Sequence, residues 1–182
     1  MSSFKLFADL LTSLRAFLVL VLVWLGLSEG AQALDVVVLV MLLSWISDYF
    51  DGFLARKSQP FSPTWIGSHD LQIDVLVGSA LLAYLSFSGF LPGALAIVYL
   101  VLWLLFFGLR GMPKAYGAVF QAPIYGYFLW LAWQQGSWAL LYVLAWLGGN
   151  LLFTWRRLVF TLIPEFFAGL RGFGKRNRPK AG

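Results

Sequence analysis

The stretch SDYFDGFLARKSQPFSPTWIGSHDLQID, residues 47–74, decides how the chain is read. It joins two apolar runs and carries four of the chain's eight acidic residues, Asp48, Asp51, Asp70 and Asp74. Asp48 and Asp51 are spaced i, i+3, and Asp70 and Asp74 are spaced i, i+4, so on helices each pair shares one face. A carboxylate near the centre of a bilayer costs about 2.5–3.5 kcal/mol on insertion scales, and less near the interface. Four together also repel one another. Cations held between them would relieve both penalties.

Around this stretch the sequence is built for lipid. Of 182 residues 60% are hydrophobic and 12% charged, with a mean hydropathy of +0.81, the signature of an integral membrane protein. Eighteen glycines and nine tryptophans agree, because glycine is frequent in membrane helices and tryptophan at their interfaces. There is no cysteine, which excludes disulfides, thiolate catalysis and cysteine-based metal sites; the single histidine, His69, excludes a His-rich one. The net charge of +5 reads as positive-inside bias and attraction to anionic lipid, and no signature of nucleic-acid binding accompanies it.

Apolar runs of spanning length occur at about 14–28, 34–50, 70–88, 92–109, 117–134 and 138–155. The connections SEGAQA (28–33), SGFLPG (88–93) and QQGS (134–137) carry no basic residue. Lys5 and Arg15, Arg56 and Lys57, Arg110 and Lys114, and seven more from Arg156 to Lys180 all fall on the opposite side. The positive-inside rule makes that side cytoplasmic, with both termini and the four aspartates there. The expected architecture is an all-α, multi-pass membrane protein of six transmembrane helices. A membrane domain would cover 1–157 and a basic cytoplasmic tail 158–182, in a bacterial inner membrane or its equivalent. Phe4, Phe7, Leu10, Leu11 and Leu14 at helical spacing predict an N-terminal amphipathic interfacial helix before the first span. The Ala-x-Ala triplet at 31–33 after a short apolar stretch also fits a cleavable signal peptide. Such triplets are common by chance in alanine-rich chains, and the span reading is preferred.

Ligands that are all oxygen, with no histidine or cysteine among them, favour hard cations: Mg²⁺, Mn²⁺ or Ca²⁺. Four aspartates are enough to hold two such ions about 3.5–4 Å apart, the arrangement used for phosphoryl chemistry. Gly52 would let a phosphate approach the backbone, and Arg56, a turn further, would donate to it. Helix capping explains an isolated aspartate equally well, but not two paired sets on consecutive spans.

The string Asp48-Tyr-Phe-Asp51-Gly52-Phe-Leu-Ala55-Arg56, followed by Asp70 and Asp74, resembles the signature D-x2-D-G-x2-A-R…G-x3-D-x3-D of the CDP-alcohol phosphatidyltransferases. LLTSLR at 10–15 is similar to the family's N-terminal element, in which a threonine and an arginine precede the first span, and the resemblance covers the whole chain. Two features differ from the pattern. The loop from Arg56 to Asp70 is longer, with Ile66 where the glycine is usual and Gly67 one place late, and Asp9 stands where many members have asparagine.

The resemblance implies transfer of a phosphatidyl group from CDP-diacylglycerol to an alcohol, with release of CMP. It implies two divalent cations, Mg²⁺ first and Mn²⁺ as the alternative, on Asp48, Asp51, Asp70 and Asp74. Asp74 would also be the general base on the acceptor hydroxyl. Gly52, Arg56, Ser62, Thr12 and Arg15 would bind the CDP, and a homodimer is implied as well. The stretch 108–127 is expected to shape the acceptor pocket. There Arg110 and Lys114, with Arg156 and Arg157 after the last span, could clamp an acceptor phosphate. Glycerol-3-phosphate is the leading acceptor; inositol phosphate, serine or a lipid alcohol are the alternatives within the same chemistry. A divalent-cation transporter is the reading from another class, but it would want its acids near the midplane on broken helices.

Overall fold

A computed structural model describes residues 3–57 and 69–157, with side chains described at 7, 9–51 and 69–152. Among these the chain forms six α-helices: α1 (Ser3–Ser28), α2 (Leu34–Lys57), α3 (Asp70–Phe87), α4 (Gly93–Arg110), α5 (Lys114–Gln134) and α6 (Leu140–Arg157). A 3₁₀ turn over Gly30–Ala33 links the first two, and no strand occurs among the described residues. Among the described residues four segments are long and apolar enough to cross a bilayer: Asp9–Ser28, Gly30–Asp51, Asp70–Phe87 and Gly93–Arg110. Helix α6 contributes a shorter apolar stretch, Leu140–Leu152, and α5 carries Lys114, Gln121 and Pro123 within its length. The N-terminal residues form no separate element; they continue into the first span as one unbroken helix.

Helix α1 lies between α2 and α3 and packs most extensively on both; α5 and α4 pack on α3, and α6 on α2. Three buried stripes explain that arrangement. On α1 the stripe is Thr12, Arg15, Leu18, Leu22 and Leu25; on α2 it is Val37, Val38, Met41, Ser44, Ser47 and Asp51. On α3, Val77, Leu81, Tyr84 and Leu85 continue the line begun by Asp70 and Asp74. Each stripe keeps the three-four spacing of one helical face. Each also turns from apolar to polar at the same end of the bundle, where α1 starts, α2 finishes and α3 starts. The functional cluster is therefore the polar end of the core seam.

Small residues set the helix spacing. A Cβ on Gly26 would stand 3.1 Å from Tyr84 Cα, so α1 crosses α3 backbone to side-chain-free backbone. On the other side, aromatic rings join α4 to α5: Phe120 packs on Tyr99, Trp103 and Phe107 at centroid distances of 5.6, 5.6 and 6.0 Å. Pro123 removes one intrahelical donor from α5. Separately, Tyr99 Oη donates to the Phe120 carbonyl at 2.6 Å, a polar link between α4 and α5. At the opposite end of the bundle from the aspartates, Tyr127 Oη donates to the Phe90 carbonyl at 2.6 Å and Ser137 Oγ to Asp35 Oδ1 at 2.5 Å. Gly111, with φ 76°, closes α4 by donating to the Phe107 carbonyl at 2.8 Å, and Pro113 immediately precedes α5. This sharp turn puts Lys114 at the start of α5, on the side of the acid cluster.

Candidate active site

The four aspartates do converge, and they converge on an arginine. Arg15 Nη1 donates to Asp48 Oδ1 at 2.9 Å and also to Asp74 Oδ1. Arg15 Nη2 donates to Asp51 Oδ2 at 2.8 Å and also to Asp70 Oδ1. Each terminal nitrogen thus bridges one carboxylate of α2 and one of α3. Thr12, one turn before Arg15 on the same face of α1, donates its hydroxyl to Asp51 Oδ2 at 2.6 Å. Among the described residues Arg15 Nε is buried without an acceptor.

Exposure grades across the cluster and gives it a direction. The Arg15 side chain is 1% exposed and Asp51 11%, whereas Asp74, Asp70 and Asp48 rise to 27%, 38% and 54%. The cluster is closed at Arg15 and opens at Asp48. Asp48, Asp70 and Asp74 each offer a carboxylate oxygen within 4.8 Å of the other two, a separation that one cation could bridge. Asp51 is the carboxylate turned toward Thr12 and Arg15.

Fully ionised, four carboxylates and one guanidinium leave a formal charge of −3. Such an excess at a helix end beside lipid is poorly solvated, and the donors are all carboxylate oxygens. Charge, donor type and spacing therefore fit hard divalent cations, and these residues fit the metal that the sequence reading expects.

The remaining expected site residues are distributed as follows. Thr12 and Arg15 are in the cluster itself, on the carboxylates. Lys114 is close enough to act electrostatically on Asp48, and Arg110 is exposed at the end of α4. Gly52 is in the last part of α2. The side chains of Arg56, Arg156 and Arg157, the loop residues Ser62, Ile66 and Gly67, and the tail from 158 lie outside the described residues. Two aromatic residues that the sequence reading did not single out belong to the site. Trp45, one turn before Asp48 on α2, meets Tyr125 of α5 edge to face at 5.5 Å, and Tyr125 lies within electrostatic reach of Asp48 and Asp74. The signal available for Trp45 was its i−3 relation to Asp48, and Tyr125 falls inside the stretch 108–127.

Comparison with curated proteins and with solved structures gives no match. The family model described as CDP-alcohol phosphatidyltransferase matches residues 5–163, which takes in all six described helices but for the first two residues of α1, and Asp48, Asp51, Asp70 and Asp74. The chain belongs to the CDP-alcohol phosphatidyltransferase family.

Proposed function

We propose that the protein transfers the phosphatidyl group of CDP-diacylglycerol to a small phosphorylated alcohol, with glycerol-3-phosphate as the leading acceptor, and releases CMP. The observation that carries this reading is the convergence of Asp48, Asp70 and Asp74 from two helices onto one position within reach of Lys114. The family membership supplies the reaction class: an integral membrane transferase that uses a CDP-alcohol substrate and an alcohol acceptor.

Two divalent cations, Mg²⁺ in preference to Mn²⁺, would be held by Asp48, Asp51, Asp70 and Asp74 and would neutralise the diphosphate and the leaving CMP. Asp74 takes the proton of the acceptor hydroxyl. The hydroxyl oxygen then forms a bond to the phosphorus that carries diacylglycerol. The bond from that phosphorus to the bridging oxygen breaks, and CMP leaves with the electron pair. Thr12 fixes the rotamer of Asp51, which keeps that carboxylate directed at the cluster. Gly52, Arg56 and Ser62 bind the CDP. Lys114, with Arg110, Arg156 and Arg157, draws the acceptor's phosphate to the open side at Asp48.

The distribution of basic residues supports six membrane-crossing helices, with the site and both termini cytoplasmic. In that position the acyl chains stay in lipid while the nucleotide and the acceptor arrive from water. Asp70 and Asp74 sit in the first two turns of α3, and Asp48 and Asp51 lie in the last turn of the apolar segment Gly30–Asp51, which favours interfacial transfer chemistry over cation transport.

The test is release of CMP by purified protein in detergent with CDP-diacylglycerol and Mg²⁺. Glycerol-3-phosphate, inositol phosphate, serine and a lipid alcohol are offered separately, with Asp74→Asn as control. Release that needs glycerol-3-phosphate and is lost in the control is the expected result. Release with another acceptor alone replaces the acceptor assignment, and a fully active Asp74→Asn protein removes Asp74 as the base.

A further inference from the structure

The acid cluster is organised around a cation that the chain itself supplies. Arg15 lies on the innermost side of the four carboxylates, and its two terminal nitrogens engage all four. The carboxylates that could share a divalent ion, Asp48, Asp70 and Asp74, are also directed at the guanidinium. A lone pair of Asp48 Oδ1, Asp70 Oδ1 or Asp74 Oδ1 that accepts from Arg15 is not open to a metal ion at the same time, so the two cations draw on the same limited set of acceptor sites.

Two further observations favour exchange over a permanent ion cluster. Among the described residues Arg15 Nε is buried without an acceptor, so the guanidinium is not fully satisfied by them where it stands. One guanidinium also answers only one of four negative charges, whereas each divalent ion answers two. The open side at Asp48 provides the entry, because that carboxylate is 54% exposed while Arg15 behind it is 1% exposed.

We propose that Arg15 is the resident counter-ion of the metal-free site, a positioning residue that holds Asp48, Asp51, Asp70 and Asp74 together until divalent cations displace its guanidinium. This rests on the metal reading given above. Metal binding is then a cation exchange, and Arg15 sets the metal affinity by competing for the same lone pairs. Once released, the guanidinium stays tethered one helical turn from Thr12, beside the position of the diphosphate, and changes from holding carboxylates to holding phosphate.

The experiment uses the full chain in detergent micelles and Mn²⁺ alone as the probe, with free Mn²⁺ followed by electron paramagnetic resonance. Wild type, Arg15→Gln, Arg15→Lys and Asp74→Asn are titrated, and thermal unfolding of each is recorded with EDTA and with Mn²⁺. Wild type is expected to bind Mn²⁺ saturably, and Asp74→Asn to bind it weakly. Removing a positive charge that faces the same carboxylates should tighten Mn²⁺ binding in Arg15→Gln by at least about tenfold. The same variant should melt lower than wild type in EDTA and recover more on adding Mn²⁺.

Arg15→Lys, which keeps the charge but not the fork, should fall between the two and carries the test if the glutamine variant does not fold. A merely structural arginine would lower stability and metal affinity together. Binding by the Arg15 variants equal to or weaker than wild type, with wild type binding normally, overturns the proposal alone. Failure of wild type to bind Mn²⁺ in an Asp74-dependent way overturns the metal reading and this proposal with it.

Discussion

Replacing Thr12 with valine probes the polar end of the α1 stripe with the least change in shape. The hydroxyl donates to Asp51 Oδ2 at 2.6 Å, a short, charge-assisted bond. Thr12 is 1% exposed and the Asp51 side chain 11%, so no bulk water replaces the lost donor. Valine fills nearly the same volume, so no cavity contributes. What remains is the loss of a hydrogen bond to a buried charged acceptor, about 1.5–3 kcal/mol. Asp51 Oδ2 keeps its bond from Arg15 Nη2 at 2.8 Å, which places the cost in the lower half of that range. In a chain of this size the unfolding midpoint should fall by roughly 3–8 °C. Thermal unfolding of wild type, Thr12→Val and Thr12→Ser in one detergent without added metal measures it, and serine should recover most of the difference. A valine variant that melts with wild type would show that the threonine hydroxyl does not support Asp51, and the reasoning would fail.

Phe120→Ala removes a ring that is 1% exposed at the centre of the α4–α5 aromatic contact, and should destabilise by about 3–5 kcal/mol in chemical unfolding. Tyr99→Phe deletes the bond to the Phe120 carbonyl and keeps the ring; a loss of about 0.5–1.5 kcal/mol with unchanged CMP release is expected. Gly26→Ala drives a Cβ to 3.1 Å from the Tyr84 backbone and should cost about 1–3 kcal/mol by overpacking. At Gly117 the added Cβ is crowded by the terminal methyl of Leu71 at 2.8 Å, which can rotate away, and meets Val75 at an ordinary 3.8 Å, so Gly117→Ala should melt closer to wild type than Gly26→Ala does. Lys114→Ala should raise the KM for a phosphorylated acceptor several-fold with a smaller effect on kcat, because the charge attracts substrate without touching the reacting bond; steady-state kinetics at two salt concentrations separates the two.

The apolar runs were legible as helices because periodicity and run length are local properties. The run 92–109 is the helix Gly93–Arg110, and 70–88 is Asp70–Phe87. At the charged end the runs stop short: 34–50 continues to Lys57, and 14–28 begins back at Ser3. A charge ends an apolar run without ending a helix, because backbone hydrogen bonding continues through the interface. The aspartate pairs were equally legible, since i, i+3 and i, i+4 spacing settles which residues share a face. The place of Arg15 was not, because it depends on how α1 is rotated against two other helices. Its one signal was the three-four spacing it shares with Thr12, Leu18, Leu22 and Leu25, which assigns it to the buried face. Arg110 and Lys114 could not be told apart by sequence either: only the turn at Gly111 and Pro113 decides which of them approaches Asp48.

The order in which the chain leaves the ribosome gives the α1–α3 seam a further consequence. Thr12, Arg15 and all four aspartates are synthesised by residue 74, and the three helices that carry them pack mainly on one another. The ionic cluster can therefore close before α5 and α6 are in place, so that unpaired charges do not wait in the membrane for a distant partner. The second half then docks on a finished unit, α5 against α3 and α6 against α2. A chain truncated after α3 should already hold Arg15 on its aspartates while lacking the wall formed by Tyr125 and Lys114. The two halves of the molecule are thus separable in biogenesis: the first assembles the charge, and the second encloses it.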